Sequence, residues 1–325
     1  MGYHMEAWAL LDDGDSSVQV AALRALGAMG AYGASFCASI VEKGRESEDQ
    51  EVKRAAIRAL GDLGEEAAAH TGDLEACLDG KDLDLVAEAC IALGSIKAVA
   101  SRDKVAEKLK DSDVEVVIGA CIGLGKLGDG DALASALASP EARVRAAAIS
   151  AVPKEQAEKH LQKACELLSD PDVNVRINAV ELIVGLGEKA SGQVPALAKL
   201  LSSAEVGQRA AGAAALQNVG VEAVALIDAF EGLLGDTEED ASSHMMSVAG
   251  IQRRIPAALR KPACAAAAAL GALGVKAARS TEKLGQGLKS EDAEVRAACA
   301  AAMGKMGEAA VRLEDWLPAR PGDAS

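Results

Sequence analysis

One thirteen-residue pattern recurs along the chain and limits its fold more than any other feature. The segments VQVAALRALGAMG, VKRAAIRALGDLG, VVIGACIGLGKLG and VRAACAAAMGKMG begin at Val18, Val52, Val116 and Val295 and align without gaps. Weaker copies begin at Leu85, Val144, Val175, Gln208 and Pro262. Successive starts are 28 to 34 residues apart except for one step of 54, and this period is typical of stacked helix pairs.

Small and bulky apolar residues alternate on one face of each copy. The fifth residue is small, at Ala22, Ala56, Ala89, Ala120, Ala148, Ala179, Gly212, Ala266 and Cys299. The ninth residue is aliphatic or Met, at Leu26, Leu60, Leu93, Leu124, Val152, Ile183, Leu216, Leu270 and Met303. Because these positions fall along one helical face, we predict that this face forms the core.

The ends of the copies are marked by residues that stop or start helices. Glycine follows twelve residues after the start at 30, 64, 128, 187, 220, 274 and 307, where an αL residue can end a helix. A second apolar segment follows, as at 155–170 and 191–203, and ends in Asp, Ser or Glu residues suited to cap the next helix. Each unit is therefore predicted to be helix, turn, helix.

Composition agrees with an all-α fold. Half of the residues are hydrophobic but only 2% are aromatic, which suits close helix packing better than a sheet. We predict a right-handed α-solenoid of about nine helix pairs that forms a single domain over residues 1–325. The long step places an insertion at about 232–261, a short tail covers 318–325, and Trp8 and Trp316 are expected to cap the two ends of the stack.

Net charge and cysteine content limit the function classes. A net charge of −15 and a pI near 4.8 disfavour general nucleic-acid binding and favour basic partners. No apolar run has the length of a membrane span, and no targeting signal is legible at the amino terminus. The seven cysteines form no close pairs, which predicts reduced thiols in the cytoplasm or an organelle matrix or stroma.

The pattern resembles HEAT repeats, particularly the short HEAT-like repeats of bilin lyases, from about residue 5 to residue 317. In that family an acidic residue before the second helix and a basic residue four positions later form a ladder between repeats. Pairs with this spacing are Asp49 and Lys53, Glu141 and Arg145, Asp172 and Arg176, Glu205 and Arg209, and Asp292 and Arg296. The resemblance implies a solenoid fold and leaves the function open.

No motif points to a catalytic or cofactor-dependent function. Gly123, Gly125 and Gly128 match GxGxxG, but this motif closes a predicted helix, whereas a dinucleotide site needs a strand before it and a helix after it. None of the four histidines is followed by Glu, so the paired His-Glu dipeptides of the HEAT-repeat deoxyhypusine hydroxylases are missing. We predict a protein that is not an enzyme and needs no cofactor or metal.

Two other features have alternative interpretations. Cys90 and Cys121 share one register in adjacent repeats and could face each other as a metal or redox pair, although apolar residues fill the same register elsewhere. The acidic run GDTEED beginning at Gly235 has no EF-hand spacing and favours a solvated loop.

A partner surface is predicted on the helices formed by the thirteen-residue copies. We call them the second helices, because they correspond to the second helix of each HEAT repeat, which lines the concave wall in HEAT proteins. The outward positions are the third and seventh of each unit. From them we select an apolar strip beside a basic patch, made of Arg24, Arg54, Arg58, Ile91, Ile118, Ile122 and Ile177. The alternative is that a curved stack or a neighbouring helix buries these isoleucines.

The insertion supplies the remaining candidate contacts. Its acidic run is followed by Met245 and Met246 and then by Arg253 and Arg254. These opposite charges could clamp a charged partner or pair with each other, and the alternative is a mobile loop. We expect deletion of residues 236–250 to leave the melting temperature nearly unchanged.

The sequence thus favours a scaffold or adaptor that binds a protein or peptide. Two other hypotheses are a bilin-lyase-like chromophore chaperone and a peripheral subunit of a large organellar complex.

Overall fold

The computed structural model describes residues 3–240, 245–248 and 251–311, and these divide into two compact units. The first unit ends at Gln156 and the second begins at Ala157. Within the described ranges no helix has the length and apolar character needed to cross a membrane.

The first unit is built of helices alone in its described part. In chain order they are α1 (His4–Ala9), α2 (Ser16–Ala28), α3 (Ala31–Ala34), α4 (Cys37–Glu46), α5 (Gln50–Leu63), α6 (Thr71–Leu78), α7 (Leu83–Ser95), α8 (Arg102–Glu107), α9 (Val114–Lys126) and α10 (Ala142–Ala151). Short 3₁₀ turns join several of them, such as Gly64–His70 between α5 and α6.

The second unit continues the helix pairs and adds one β-hairpin. Its helices are α11 (Leu161–Leu167), α12 (Val173–Leu186), α13 (Val194–Leu200), α14 (Val206–Ala215), α15 (Ile227–Leu233), α16 (Pro262–Leu273), α17 (Thr281–Gly287), α18 (Ala293–Met306) and α19 (Glu308–Val311). Strands β1 (Met245–Val248) and β2 (Ile251–Arg254) pair antiparallel in the insertion, with Met245 opposite Arg254. The all-α class is confirmed, and the hairpin is an addition that the sequence analysis did not predict.

The nine predicted second helices are all present in the described part of the chain, as α2, α5, α7, α9, α10, α12, α14, α16 and α18. Most begin at an aspartate whose carboxylate accepts hydrogen bonds from amides of the first turn, which stabilises a helix by about 1 kcal/mol. These caps are Asp15, Asp49, Asp82, Asp113, Asp172 and Asp292.

The core positions behave as predicted with two exceptions. All nine residues at the fifth position are buried, and the ninth is buried except at Val152 and Met303, which are half-buried. Val152 lies outside its helix because α10 ends at Ala151. Pro153 explains this early end, since a residue that precedes proline is driven out of the α conformation.

The glycines that close the units have positive φ, as predicted, but most are not αL residues. At 30, 64, 187, 274 and 307 the φ of 54° to 62° is combined with a ψ of −130° to −140°, a region open essentially to glycine alone. The αL prediction is therefore wrong at these positions. Gly64, for example, turns the backbone directly into the 3₁₀ turn Gly64–His70.

Lys97 occupies the same closing position in the third unit with a φ of 58°. Its amide bonds to the carbonyl of Gly94, and the amide of Ala98 bonds to the carbonyl of Leu93, which is a Schellman cap. In this αL conformation a residue with a Cβ costs about 1 kcal/mol relative to glycine.

We expect Lys97→Gly to have a higher free energy of unfolding than Lys97→Ala by about 1 kcal/mol. Both changes remove the hydrogen bond from Lys97 Nζ to the carbonyl of Lys126, so the comparison isolates the backbone conformation. Urea denaturation measures the difference, and equal values for the two variants would contradict this account of the cap.

Candidate functional site

The third and seventh positions of the second helices line a cleft in the first unit. Its volume is about 260 Å³. Four predicted partner residues, two arginines and two isoleucines, come together there with five residues that were not predicted. The lining is Arg54, Arg58, Asp84, Ala87, Glu88, Ile91, Glu115, Ile118 and Gly119, and we call this the second-helix cleft.

The arginines of the second-helix cleft are engaged in ion pairs. Arg54 on α5 pairs with Asp84 on α7 at 2.6 Å, and Arg58 donates a hydrogen bond to Glu88 on α7. The Glu88 carboxylate raises the pKa of the Arg58 guanidinium through that bond. Since Glu115 also lines the cleft, carboxylates outnumber arginines there, and the prediction of a local basic patch is wrong.

The sequence contained a signal for these carboxylates. Asp84 and Glu115 each stand one residue before the start of a copy, and Glu88 stands on the same helical face as Asp84, one turn later. A search for acidic residues opposite the arginines of the preceding unit would have found them.

The remaining strip residues have different environments. Ile91 and Ile118 are half-buried in the second-helix cleft, and Ile122 is half-buried one turn along α9. Arg24 is exposed on α2 and is not among the lining residues. Ile177 is only 1% exposed, so its prediction as a surface contact is wrong.

Ile177 is buried because the insertion lies over it. Ile255 and Val173 form a small apolar cluster with Ile177, and Leu259 packs against that cluster. Sequence periodicity could not reveal this, since the covering residue lies 78 positions away in a segment outside the repeat pattern.

The insertion lies between the end of α15 and the start of α16, within the predicted range. We call its two described non-hairpin segments, 236–240 and 255–261, the strap. They are joined by a hydrogen bond from the amide of Asp240 to the carbonyl of Arg260. Met245, Met246, Arg253 and Arg254 lie on β1 and β2, and their side chains are outside the described structure.

Arginines of the repeats hold the acidic half of the strap. Arg209 on α14 donates to Asp236 at 2.6 Å and to Glu238 at 2.8 Å. Arg176 on α12 pairs with Asp240. The GDTEED run is thus a loop that is partly exposed, as predicted, but its carboxylates are paired with arginines of the chain itself.

The same arginines also bond to their own repeat. One guanidinium nitrogen of Arg145, Arg176, Arg209 and Arg296 donates to the carbonyls six and five residues earlier, at 2.7 to 2.9 Å. In four of the five predicted ladder pairs the basic member therefore holds the turn that precedes its own helix.

The basic half of the strap is held by carboxylates. The Arg260 side chain is 1% exposed and pairs with Glu239 of the strap and Glu294 of α18. Lys261 contacts Glu294 at 2.9 Å and also pairs with Asp292. The hydrogen bond from Lys261 lowers the pKa of the Asp292 carboxyl.

The structure gives no support to the cysteine-pair hypothesis. Cys90 and Cys121 are buried thiols, and burial raises the pKa of each to about 12, so neither is ionised near neutral pH. Among the described residues no group of three His, Cys, Asp or Glu side chains could hold a metal ion. Both cysteines fill the core between helices.

The GxGxxG residues have structural roles. A Cβ on Gly123 would lie 2.3 Å from the carbonyl oxygen of Cys90, and one on Gly125 would lie 2.2 Å from that of Ala151. Gly128 has a φ of 77° and closes the helix. The motif thus allows backbones to pack closely and forms no phosphate-binding turn.

The repeat geometry and the sequence lead to one family. The family model for HEAT repeats matches residues 7–86 and again residues 71–153. Residues 7–153 belong to the HEAT-repeat family. A comparison with curated protein sequences gives no significant match.

Solved structures agree with the HEAT-repeat fold. A structure of Kap95p with RanGDP has 13% identity and a TM-score of 0.57, covering 93% of this chain and 47% of that one. The Escherichia coli protein YibA has 19% identity and a TM-score of 0.50, covering 71% of this chain and 85% of that one. At these identities the likeness supports the fold and does not identify a partner.

A third structure is the complex of CpcE and CpcF of phycocyanin lyase from Nostoc sp. PCC7120. It has 19% identity and a TM-score of 0.46, covering 72% of this chain and 95% of that one. This likeness is too weak to support the chromophore-chaperone hypothesis.

Proposed function

We propose that this protein is a non-catalytic scaffold that binds an extended segment of a protein partner in the second-helix cleft. The partner segment carries an aliphatic residue that contacts Ile91 and Ile118. It also carries basic residues that face the carboxylates of the cleft.

The strap is the observation that carries this proposal, since it is a segment outside the repeats that lies on second helices of the same chain. Ile255 contacts Ile177, which stands at the third position of its unit, and Ile118 stands at the third position of another. Ion pairs from Arg176 on α12 and Arg209 on α14 hold Asp240 and Asp236 of the strap. An extended ligand in the second-helix cleft can use the same two kinds of contact.

The charge of the cleft indicates which partner segment fits. Arg54 and Arg58 are paired with Asp84 and Glu88, so a carboxylate from a partner would have to displace an existing ion pair. Asp84 keeps 58% of its side-chain surface exposed and Glu51, which also pairs with Arg54, keeps 62%. Lys or Arg side chains of a partner can reach these exposed carboxylates, and the net charge of −15 attracts basic segments at longer range.

We expect Ile91→Asp combined with Ile118→Asp to weaken partner binding by at least tenfold, because two charges replace the apolar contact at the centre of the cleft. The tagged wild-type chain is used to capture partners from cell extract, which mass spectrometry identifies. The dissociation constant of the best candidate is then measured for the wild-type chain and the variant.

Val99→Asp is the matched control, since Val99 is 56% exposed in the same unit and does not line the cleft. The control variant should bind as the wild-type chain does, and circular dichroism should show equal helicity in all three proteins. If the double variant keeps full helicity and full affinity, the second-helix cleft is not the binding site.

A further inference from the structure

The few aromatic residues of the chain are concentrated near its amino terminus. Of the six Trp, Tyr and Phe residues, four lie between residues 3 and 36, namely Tyr3, Trp8, Tyr32 and Phe36. The positions equivalent to Tyr32 in other repeats are charged, as at Glu66, Lys189 and Lys276. The clustering of the aromatic residues therefore indicates a function other than filling the core.

The rings meet across two short helices. His4 stacks on Tyr32 with ring centroids 6.1 Å apart and also lies 6.1 Å from the ring of Phe36. Trp8 stacks on Phe36, again at 6.1 Å, and its indole nitrogen donates a hydrogen bond to the hydroxyl of Ser39. Residues of α1 and of the α3 region thus form one continuous aromatic surface.

This surface is open to solvent. Tyr3 is 79% exposed, Tyr32 is 73% exposed and Trp8 is 39% exposed. Met5 and Leu10 beside them are 51% and 45% exposed. Trp8 stays a predicted cap of the stack, and Trp316, the other predicted cap, lies outside the described residues. We call the set Tyr3, His4, Met5, Trp8, Leu10, Tyr32 and Phe36 the aromatic patch.

No other part of the described surface has exposed large hydrophobic residues that lie so close together in the sequence. The other large hydrophobic residues with high exposure are Leu83, Val99, Val221, Val275 and Leu288, which are widely separated along the chain. Clustered exposed aromatic and Met side chains mark interaction surfaces, where rigid rings supply contact area at little cost in conformational entropy.

The charges around the aromatic patch determine its occupant. Residues 1–46 contain six carboxylates and three basic side chains, and one of the basic side chains, Lys43, pairs with Asp12, so the segment keeps an excess of negative charge. A second copy of this chain would bring two acidic rims together, so the like charges oppose self-association. Lys and Arg side chains, by contrast, both pair with such carboxylates and stack on exposed aromatic rings.

We propose that the aromatic patch is a second interaction surface, separate from the second-helix cleft, that binds a basic amphipathic segment of a protein partner. The apolar side of that segment covers Met5, Leu10 and Trp8. Its Lys or Arg side chains lie over the ring of Tyr32 and beside Glu6.

A pair of synthetic peptides tests this proposal. One is an amphipathic helix of Leu and Lys with a fluorescent label, and the other has Glu in place of every Lys. In fluorescence anisotropy the wild-type chain should bind the Lys peptide at least tenfold more tightly than the Glu peptide. The combined variant Trp8→Ala and Tyr32→Ala should lose at least tenfold of that affinity.

The double variant separates patch binding from general attraction, because it leaves the net charge of −15 unchanged. Val275→Ala is the control, since Val275 is an exposed residue of the other unit. This variant should bind the Lys peptide as the wild-type chain does. Tyr32→Ser alone guards against misfolding, because Tyr32 is 73% exposed, and it should lose part of the affinity.

Three results would overturn the proposal. One is equal affinity of the double variant and the wild-type chain for the Lys peptide. Another is equal affinity of the wild-type chain for the Lys and Glu peptides. The last is a wild-type dimer in light scattering that the double variant converts to a monomer, which would assign the aromatic patch to a second copy of the chain.

Discussion

Arg260→Ala is expected to lower the free energy of unfolding by about 3 kcal/mol. The guanidinium is almost fully buried, pairs with Glu239 and Glu294 and donates to the carbonyl of Ile255 at 3.1 Å. Removing it leaves the half-buried carboxylates of Glu239 and Glu294 with Lys261 as the cation they share, and the hydrogen bonds to the guanidinium are lost. Urea denaturation followed by circular dichroism measures the change.

Arg279→Ala is the matched control for that measurement. Arg279 pairs with Asp228 in the same unit, but their side chains are 59% and 83% exposed, so this pair contributes less than about 1 kcal/mol. If the two alanine variants lose equal stability, the strap is not fastened to α18 in the way the ion pairs indicate.

The same contacts change the expectation for the insertion. A loop attached only at its ends could be deleted without effect, but the strap supplies Asp236, Glu238 and Asp240 to Arg209 and Arg176. Deleting it would leave these buried or half-buried arginines without those partners. The hypothesis of a mobile loop that tolerates deletion therefore does not apply to the strap.

The repeats are predictable from the sequence because their determinants are local. An aspartate that caps its own helix, as Asp113 does, needs no knowledge of the rest of the fold. The same is true of the alternation of Ala120 and Leu124 on one face of α9, both of which are buried. Even the departure at Val152 follows from the proline beside it.

The functional surface is less predictable because it depends on residues far apart in the sequence. Helical periodicity places Arg54 and Ile118 on one surface, and both line the second-helix cleft. Periodicity cannot reveal that Asp84 pairs with Arg54 or that Ile255 covers Ile177. Ile118 and Ile177 occupy the same position of the repeat, but the insertion covers Ile177 and leaves Ile118 accessible.

The close approach of α7 and α9 also depends on particular glycines, and these make the sequence look like a nucleotide site. Gly94 and Gly123 face each other, since a Cβ on Gly94 would lie 2.5 Å from the carbonyl oxygen of Gly123. Helical glycines without a close neighbour, such as Gly185, have no such constraint. The sequence pattern alone cannot separate these two kinds of glycine.

Gly123→Ala is expected to lower the free energy of unfolding by about 1 kcal/mol. The new Cβ would overlap the Cys90 carbonyl oxygen at 2.3 Å, and this atom belongs to the backbone of α7 and cannot rotate away. Forcing packed helices apart costs roughly 1 to 3 kcal/mol or more, and the better helix propensity of alanine offsets about 1 kcal/mol of it.

Gly185→Ala provides the control for helix propensity, because Gly185 is exposed in α12 and a Cβ there would meet no atom within 4 Å. This variant should gain about 0.5 to 1 kcal/mol in free energy of unfolding, the opposite sign from Gly123→Ala. Urea denaturation of both variants compares the two effects directly. A gain of similar size in both would show that α7 and α9 do not approach each other through Gly123, and the structural explanation of the GxGxxG motif would then fail.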